Sequence, residues 1–486
     1  MQKRCKSEEG IFENSTVKAQ AKYMILLEGN RDVRINSRYN VNLMSNMSYE
    51  LDQHLTLLEN KLREGELSFL QSEIDGTDIG LIPRTYAAKI ANLARRASRS
   101  HLAVTILHPY VRGVQGTAPT EFELSEYAAA LTFIGAWQEA LGLLNKVDSK
   151  KVKQSLLYRA FALFAHWDYA KAVEPLELFV KEKDISDYDR LVGKLNLGNA
   201  YLSQGKCEQA EALLKEVCEV SKPLKYKLLV SNALERLAES AIQLKHFRRA
   251  DELLYEAEAN LHGGTTVAML FIKKWRIFLN IQKEGFLEPH AKKLKEIRLK
   301  AVELEHWETV RDCDRFEAIH NKDKKLMIHL LFGTPHEKFK EKLMKEFNMF
   351  PMVPESYFWG IDSTQIDCSA KVLDLKTGNI EYRSSEGVLV LQGEPLIVDS
   401  PAHQVLTILT KDFYSPFNYR IVFAQLFPGQ SYHPQMSDAR VLGVINELRE
   451  WILKQELPLE IHETNGFFKL RFLGPVLIKV YRNKME

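Results

Sequence analysis

Cysteine is scarce in this chain: five in 486 residues, at Cys5, Cys207, Cys218, Cys313 and Cys368. No two form a Cys-x-x-Cys pair, and an odd number argues against a disulfide framework. They read as reduced, buried, small apolar residues, with a Cys207–Cys218 redox pair as the minor alternative. Long apolar runs are missing too. Nothing approaches the roughly 20 residues needed to cross a bilayer, and no apolar core follows the opening MQKRCKSEEG. We therefore expect no membrane partner, no signal peptide and a cytoplasmic protein. Charge of one sign is also lacking, with a net charge of +2. No global basic field argues for nucleic acid. The phosphate-binding Gly-x-x-x-x-Gly-Lys-Ser/Thr loop is absent, as are Gly-x-Gly-x-x-Gly, His-Glu-x-x-His and Gly-x-Ser-x-Gly. The fourteen histidines are dispersed. His433 and His462 could approach one another, but a hydrogen-bonded or surface role is the reading for both. We expect no catalytic residues, no cofactor and no metal: the protein is not read as an enzyme.

What is present is helical periodicity. The length calls for two to four domains. Residues 1–47 are polar and weakly periodic, and read as a flexible leader. From 48 to 347 the pattern is helical almost throughout, beginning with Leu51, Leu55, Leu58 and Leu62. Within it one alanine recurs, at Ala140, Ala172, Ala210 and Ala250. Three residues earlier stands an aromatic or cysteine: Trp137, Tyr169, Cys207, Phe247. Four residues later stands a leucine: Leu144, Leu176, Leu214, Leu254. Twelve residues earlier stands a small residue: Ala128, Ala160, Gly198, Ala238. Small residues let antiparallel helices approach closely, and the large ones fill the groove to the next pair.

This pattern resembles the tetratricopeptide (TPR) repeat. Leu197, Gly198, Tyr201 and Ala210 stand in the family's positions. Several intervals exceed the family's roughly 34 residues, so longer helices or loops are expected. Irregular further units continue through KKWRIFLNIQKEGFLEPHAKKLKEI and AVELEHWETVRDCDRFEAI. Near the end of the array Gly333 stops one helix. Thr334, Pro335 and Glu337 then carry the signature of a cap, a first-turn proline and a capping box. Residues 348–366, with Pro351, Pro354 and Gly360, read as a linker. Its aromatics (Phe350, Tyr357, Phe358, Trp359) suggest that it docks on a domain.

Residues 367–486 read as a second unit. Four short strands are expected between 371 and 399. Three helices follow, marked by Val405, Leu406 and Leu409, then Ile421, Val422 and Leu426, then Val441, Val444, Ile445, Leu448 and Ile452. Ser437 and Asp438 look like the N-cap of the third. LEIH and FKLRF alternate as a hairpin around Thr464, Asn465 and Gly466.

Helix, helix, helix, hairpin resembles the winged helix-turn-helix effector domain of OmpR/PhoB-type response regulators. Ile445, Leu448 and Arg449 match the family's third-helix core. Gly466, Phe468 and Leu470 match its wing, although Phe467 stands where a second glycine is usual. No receiver domain accompanies it. The third helix is not basic, since Arg440, Arg449 and Lys454 face Asp438, Glu447 and Glu450. Basic groups gather later, at Lys469, Arg471, Lys479, Arg482 and Lys484. The fold expected is mostly α: a TPR-like helical-hairpin superhelix followed by a small α+β winged-helix domain. The resemblance implies a transcriptional regulator. Arg440, Asn446 and Arg449 on the third helix, with Lys469 and Arg471 on the wing, would hold DNA. Residues 427–436 would face RNA polymerase, and the repeats would take a protein or peptide partner on their concave face. The alternative is an interaction scaffold whose winged helix no longer binds DNA.

Overall fold

The computed structural model describes residues 37–113, 116, 118–261, 266–347, 354, 356–360, 380–383, 388–391, 394–397, 400–464, 466–474 and 477–481. Contacts divide the chain into two units, Met1–Leu57 and Leu58–Glu486. Most of the expected leader lies outside the described residues. Its last part is helical, because α1 (Ser37–Glu64) begins well before residue 48.

After α2 (Leu67–Asp75) the second unit is built from antiparallel helix pairs. These are α3–α4 (Arg84–Arg96, Ser100–Val111), α5–α6 (Glu121–Phe133, Trp137–Leu144) and α7–α8 (Gln154–Ala165, Tyr169–Lys181). Next come α9–α10 (Asp187–Ser203, Cys207–Ser221), α11–α12 (Lys227–Gln243, Phe247–Asn260) and α13–α14 (Thr266–Glu284, Glu288–Glu303). The repeated residues take equivalent places. Trp137, Tyr169, Cys207 and Phe247 each open the second helix of a pair. The four alanines and four leucines behind them are fully buried. At Gly198 a Cβ would stand 2.9 Å from Leu214 Cγ, so glycine sets how closely α9 and α10 approach. In the first five pairs the chain turns through a residue of positive φ two places before the second helix. They are Ser98, Gly135, Trp167, Gly205 and Lys245, with φ from +60° to +94°. First helices of successive pairs touch one another, α3 with α5, α5 with α7, α9 with α11 and α11 with α13. The stack is thus a TPR-like array whose first helices form a common face. The irregular units expected from sequence are α13–α14 and α15 (Trp307–Asn321).

The array closes with α15, α16 (Lys324–Phe332) and α17 (Glu337–Phe347). Asp323 caps α16 by accepting from the Lys325 and Leu326 amides. The cap expected at Thr334 is not made. That side chain is buried without a hydrogen-bond partner, and α17 starts three residues later. Trp167 stacks on His336 and packs on Phe339, which fixes the entry to α17 instead.

The expected linker contains a strand, β1 (Ser356–Gly360), and this corrects the sequence reading. It pairs antiparallel with β8 (Leu477–Tyr481), the last described strand. Between them in sequence come β2 (Ile380–Arg383), β3 (Val388–Leu391) and β4 (Glu394–Ile397). The sheet runs β1-β8-β2-β3-β4 and is mixed, because β2 lies parallel to β8. Among the described residues it has five strands, of which β1 and β8 lie outside the 371–399 stretch where four strands were expected. The fourth expected strand, near residue 371, lies outside the described residues, as do Arg482 and Lys484.

The rest of the C-terminal unit follows the expected order. It comprises α18 (Pro401–Leu409), β5 (Phe417–Asn418), α19 (Tyr419–Leu426), α20 (Met436–Lys454), β6 (Leu459–Thr464) and β7 (Phe467–Phe472). Strands β5, β7 and β6 form an antiparallel sheet. Thr464 pairs with Phe467, leaving a two-residue loop whose Gly466 has φ +78°, as an Asn-Gly hairpin requires. Val405, Leu406, Leu409, Val422, Phe423, Val441, Ile445, Leu448, Phe468 and Leu470 are buried, so this unit has its own apolar centre. The N-cap of α20 differs from expectation. The Met436 and Gln435 amides donate to His433 Nδ1, at 3.2 and 3.3 Å, and Ser437 Oγ instead accepts from the His433 amide.

Candidate interaction site

Two regions concentrate polar chemistry: the common face of the first helices, and the seam between the array and the C-terminal unit. On the common face Asn92 and Arg95 of α3 meet Glu126 of α5 and Tyr158 of α7. Asn92 Nδ2 donates to Glu126 Oε1 at 2.9 Å, and Arg95 Nη2 to Glu126 Oε2 at 3.3 Å. The Tyr158 hydroxyl also donates to Glu126. Arg95, Glu126 and Tyr158 are all buried, so each needs the others to offset its desolvation. The network staples three successive first helices. Above it lie Phe133 and Phe161, edge to face at 5.8 Å, with the Arg95 guanidinium 5.6 Å from the Phe133 ring. Phe133 is 55% exposed. The result is an exposed aromatic ring, backed by the half-buried Phe161, over a buried polar floor. Tyr158→Phe removes three hydrogen bonds of the floor, to Asn92, Arg95 and Glu126, while keeping its shape. A loss of about 1–2 kcal/mol is expected in chemical denaturation.

At the seam, Arg311 of α15 is fully buried. Its Nη2 donates to both carboxylate oxygens of Asp412, each at 2.8 Å, and its Nη1 to Glu308 at 2.5 Å. Asp412 Oδ1 also accepts from the Tyr414 and Ser415 amides, at 2.8 and 3.0 Å. Burial works against the Arg311 charge, but Glu308 and Asp412 outweigh it and hold the guanidinium protonated. Beside the pair, Phe413 lies against Gly333. A Cβ there would come within 2.5 Å of the ring, and the Phe413 amide donates to the Gly333 carbonyl at 3.1 Å. Phe413 stacks on Trp359 of β1 at 4.2 Å. His329 Nδ1 lies 3.0 Å from the Tyr357 hydroxyl.

Three histidines near these contacts are held neutral. Burial pushes His329 down to about 4 and His336 down to about 3. Burial, then His433 and Arg112, brings His108 to about 4. Each binds a proton more weakly in the folded chain than at its ordinary value of 6.5. The unfolded chain therefore takes up the extra protons as pH falls from 6.5 towards 4, and stability drops through that window. With partial exposure allowed for, the loss is on the order of 1–2 kcal/mol for each group. Urea midpoints at pH 7 and pH 5 measure it, and His329→Gln should flatten the slope. A midpoint unchanged between the two pH values contradicts the neutral histidines.

The five residues read as DNA contacts are placed as follows. Arg440 is exposed on α20, donates to Gln430 at 2.8 Å and lies 4.0 Å over the Phe427 ring. Asn446 accepts from Arg449 at 3.1 Å. Arg449 also donates to the Ile461 carbonyl and to Glu463, at 3.1 and 3.2 Å, so it ties α20 to β6. Lys469 donates to the Tyr414 carbonyl at 3.3 Å and lies 5.5 Å from the Trp307 ring of the array. Burial lowers its pKa, against the pull of Asp412. Arg471 is mostly exposed, 3.9 Å from Glu460. The structure thus brings Asn446 and Arg449 together and turns Lys469 to the array. The exposed charges of α20 are mixed, Arg440 and Lys454 with Glu447 and Glu450. In the 427–436 loop, Pro428 to Ser431 are exposed, whereas Tyr432 and Pro434 are buried. His462 is exposed near Glu460 and Thr464, and His433 packs instead on His108, at 4.4 Å. Sequence reasoning placed Gly333 correctly as a helix stop but missed its contact with Phe413, and it missed Arg311, Asp412 and Gly135 altogether.

Among the described residues no helix is long and apolar enough to cross a membrane. Cys207, Cys218 and Cys313 are free and buried. No family model matches the sequence, and no curated protein matches it. Among solved structures, a variant of the nearly identical TPR-like repeats of a kinesin light chain from Podospora anserina is similar. The similarity covers 36% of this chain and 93% of that one, with 24% identity and a TM-score of 0.30.

Proposed function

We propose that the protein is an interaction platform. Its TPR-like pairs bind a protein or peptide partner on the face of the first helices, and its C-terminal unit is docked cargo or effector. The observation that carries this reading is the exposed Phe133, packed edge to face on the half-buried Phe161 over the buried polar floor. Exposed aromatics held rigidly are the usual energetic centres of protein interfaces. The test is capture of a partner from the native cell by the full chain and by Phe133→Ala. Retention is expected for the first and at least a tenfold loss for the second, equivalent to about 1.4 kcal/mol. Equal retention by both chains rules out this face.

A second reading is favoured by the order of α18, β5, α19, α20, β6 and β7, which is that of a winged helix. In it the C-terminal unit binds DNA through α20, as in a transcriptional regulator, with residues 427–436, exposed at 428–431, 435 and 436, offered to RNA polymerase. Arg440 and Arg471 are the exposed cations that would meet phosphate. Binding of mixed genomic fragments should then weaken with salt, and each Ala substitution should lower the salt slope by about one. A salt-independent or undetectable interaction rejects the DNA reading and leaves the platform.

A further inference from the structure

The C-terminal unit grips the array at two places separated by the whole of α7 to α14. At the first, Ile421 of α19 occupies the space above Gly135, where a Cβ would come within 2.3 Å of its Cγ1. Asn418 Nδ2 donates to the Ile134 carbonyl at 3.4 Å. The Tyr432 amide donates to Glu139 at 3.1 Å, and the His433 ring meets His108 of α4. At the second, Arg311 holds Asp412, Phe413 covers Gly333, and Lys469 lies against Trp307. Between the two grips the C-terminal unit is one packed body with its own buried core.

A stack of helix pairs changes curvature by small rotations at each interface. A rigid body fixed near both ends removes that freedom, because any change of curvature must open one grip. We propose that the C-terminal unit is a clasp holding the array at one curvature, so that a partner requiring another curvature releases it and bares Lys469, Ile421 and His433. Release and partner binding are then linked reciprocally: what loosens the clasp tightens such a partner. This rests on the platform reading only for the identity of the trigger. The clasp itself is tested without any partner.

The experiment is hydrogen exchange by mass spectrometry on the full chain and on Ile421→Ala. Ile421 contacts the array from outside the unit's core, so the variant loosens only the first grip. Exchange should rise by about tenfold at 134–139, within the range of ordinary couplings between sites. It should rise similarly at the distant grip, 307–311 and 412–414. Phe413→Ala should do the reverse, raising exchange at 134–139. Protection within 441–452 reports whether the unit itself stays folded. Gly135→Ala opens the first grip from the array side and should give the same distant response. Exchange confined to the mutated grip in all three variants shows two independent contacts and overturns the clasp. A clasp that behaves as stated while Phe133→Ala retains its partner sinks the platform reading alone.

Discussion

Arg311→Ala should destabilise the protein by about 3–5 kcal/mol, as expected when one member of a buried ion pair is removed. The substitution strands Asp412, which is 6% exposed, without its cation. It also withdraws the guanidinium lying 5.1 Å over the Tyr414 ring. Replacing both partners with apolar residues, Arg311→Met with Asp412→Leu, should recover part of the loss, because no uncompensated charge remains. Recovery should stay incomplete, since Asp412 also accepts from two backbone amides of the turn after α18. Equilibrium urea denaturation of the wild type, Arg311→Met, Asp412→Leu and the double variant closes the double-mutant cycle. A single-mutant loss under about 1 kcal/mol would mean a surface-type pair, and the seam described above would be wrong.

Gly135→Ala should cost roughly 2–4 kcal/mol, the sum of a left-handed backbone and an overpacked contact. The residue has φ +94°, and its new methyl would overlap Ile421. Gly205 offers an internal control. It stands at the same place in its own turn, with φ +73° and nothing within 4 Å of a Cβ. Gly205→Ala should therefore show only the backbone part, about 1–2 kcal/mol. Adding Ile421→Ala to Gly135→Ala should bring the cost near that of the control. Thermal melts of the three chains separate the terms. Equal costs at 135 and 205 would exclude steric contact between α19 and the first pairs.

The repeat was legible because its physics is local. Ala140, Trp137, Leu144 and Ala128 sit within one helix pair, and their spacing is the packing. The helices of the C-terminal unit were legible for the same reason, through apolar residues on one flank. Strand β1 was not. Pro351, Pro354 and Gly360 read as a linker, but the partner that makes Ser356–Gly360 a strand lies at Leu477–Tyr481, far outside any sequence window. Arg311 and Asp314 on α15 carried no sequence signal. Both are buried, Asp314 against Arg298 of the array and Arg311 against Asp412 of the C-terminal unit. Counting charges located Lys469 but could not say which side of the hairpin would be occupied. The repeat, the three helices and the hairpin were thus open to sequence reasoning, and the seam between them was not.

The position of β8 bears on how the molecule is made. It is the last described strand to leave the ribosome, yet it lies between β1 and β2 and pairs with both. Until it emerges, both neighbours carry an unfilled edge, and exposed edges invite pairing with other chains. Between the emergence of β2 and that of β8, a finished array therefore carries an unfinished sheet, and chaperone demand should peak there.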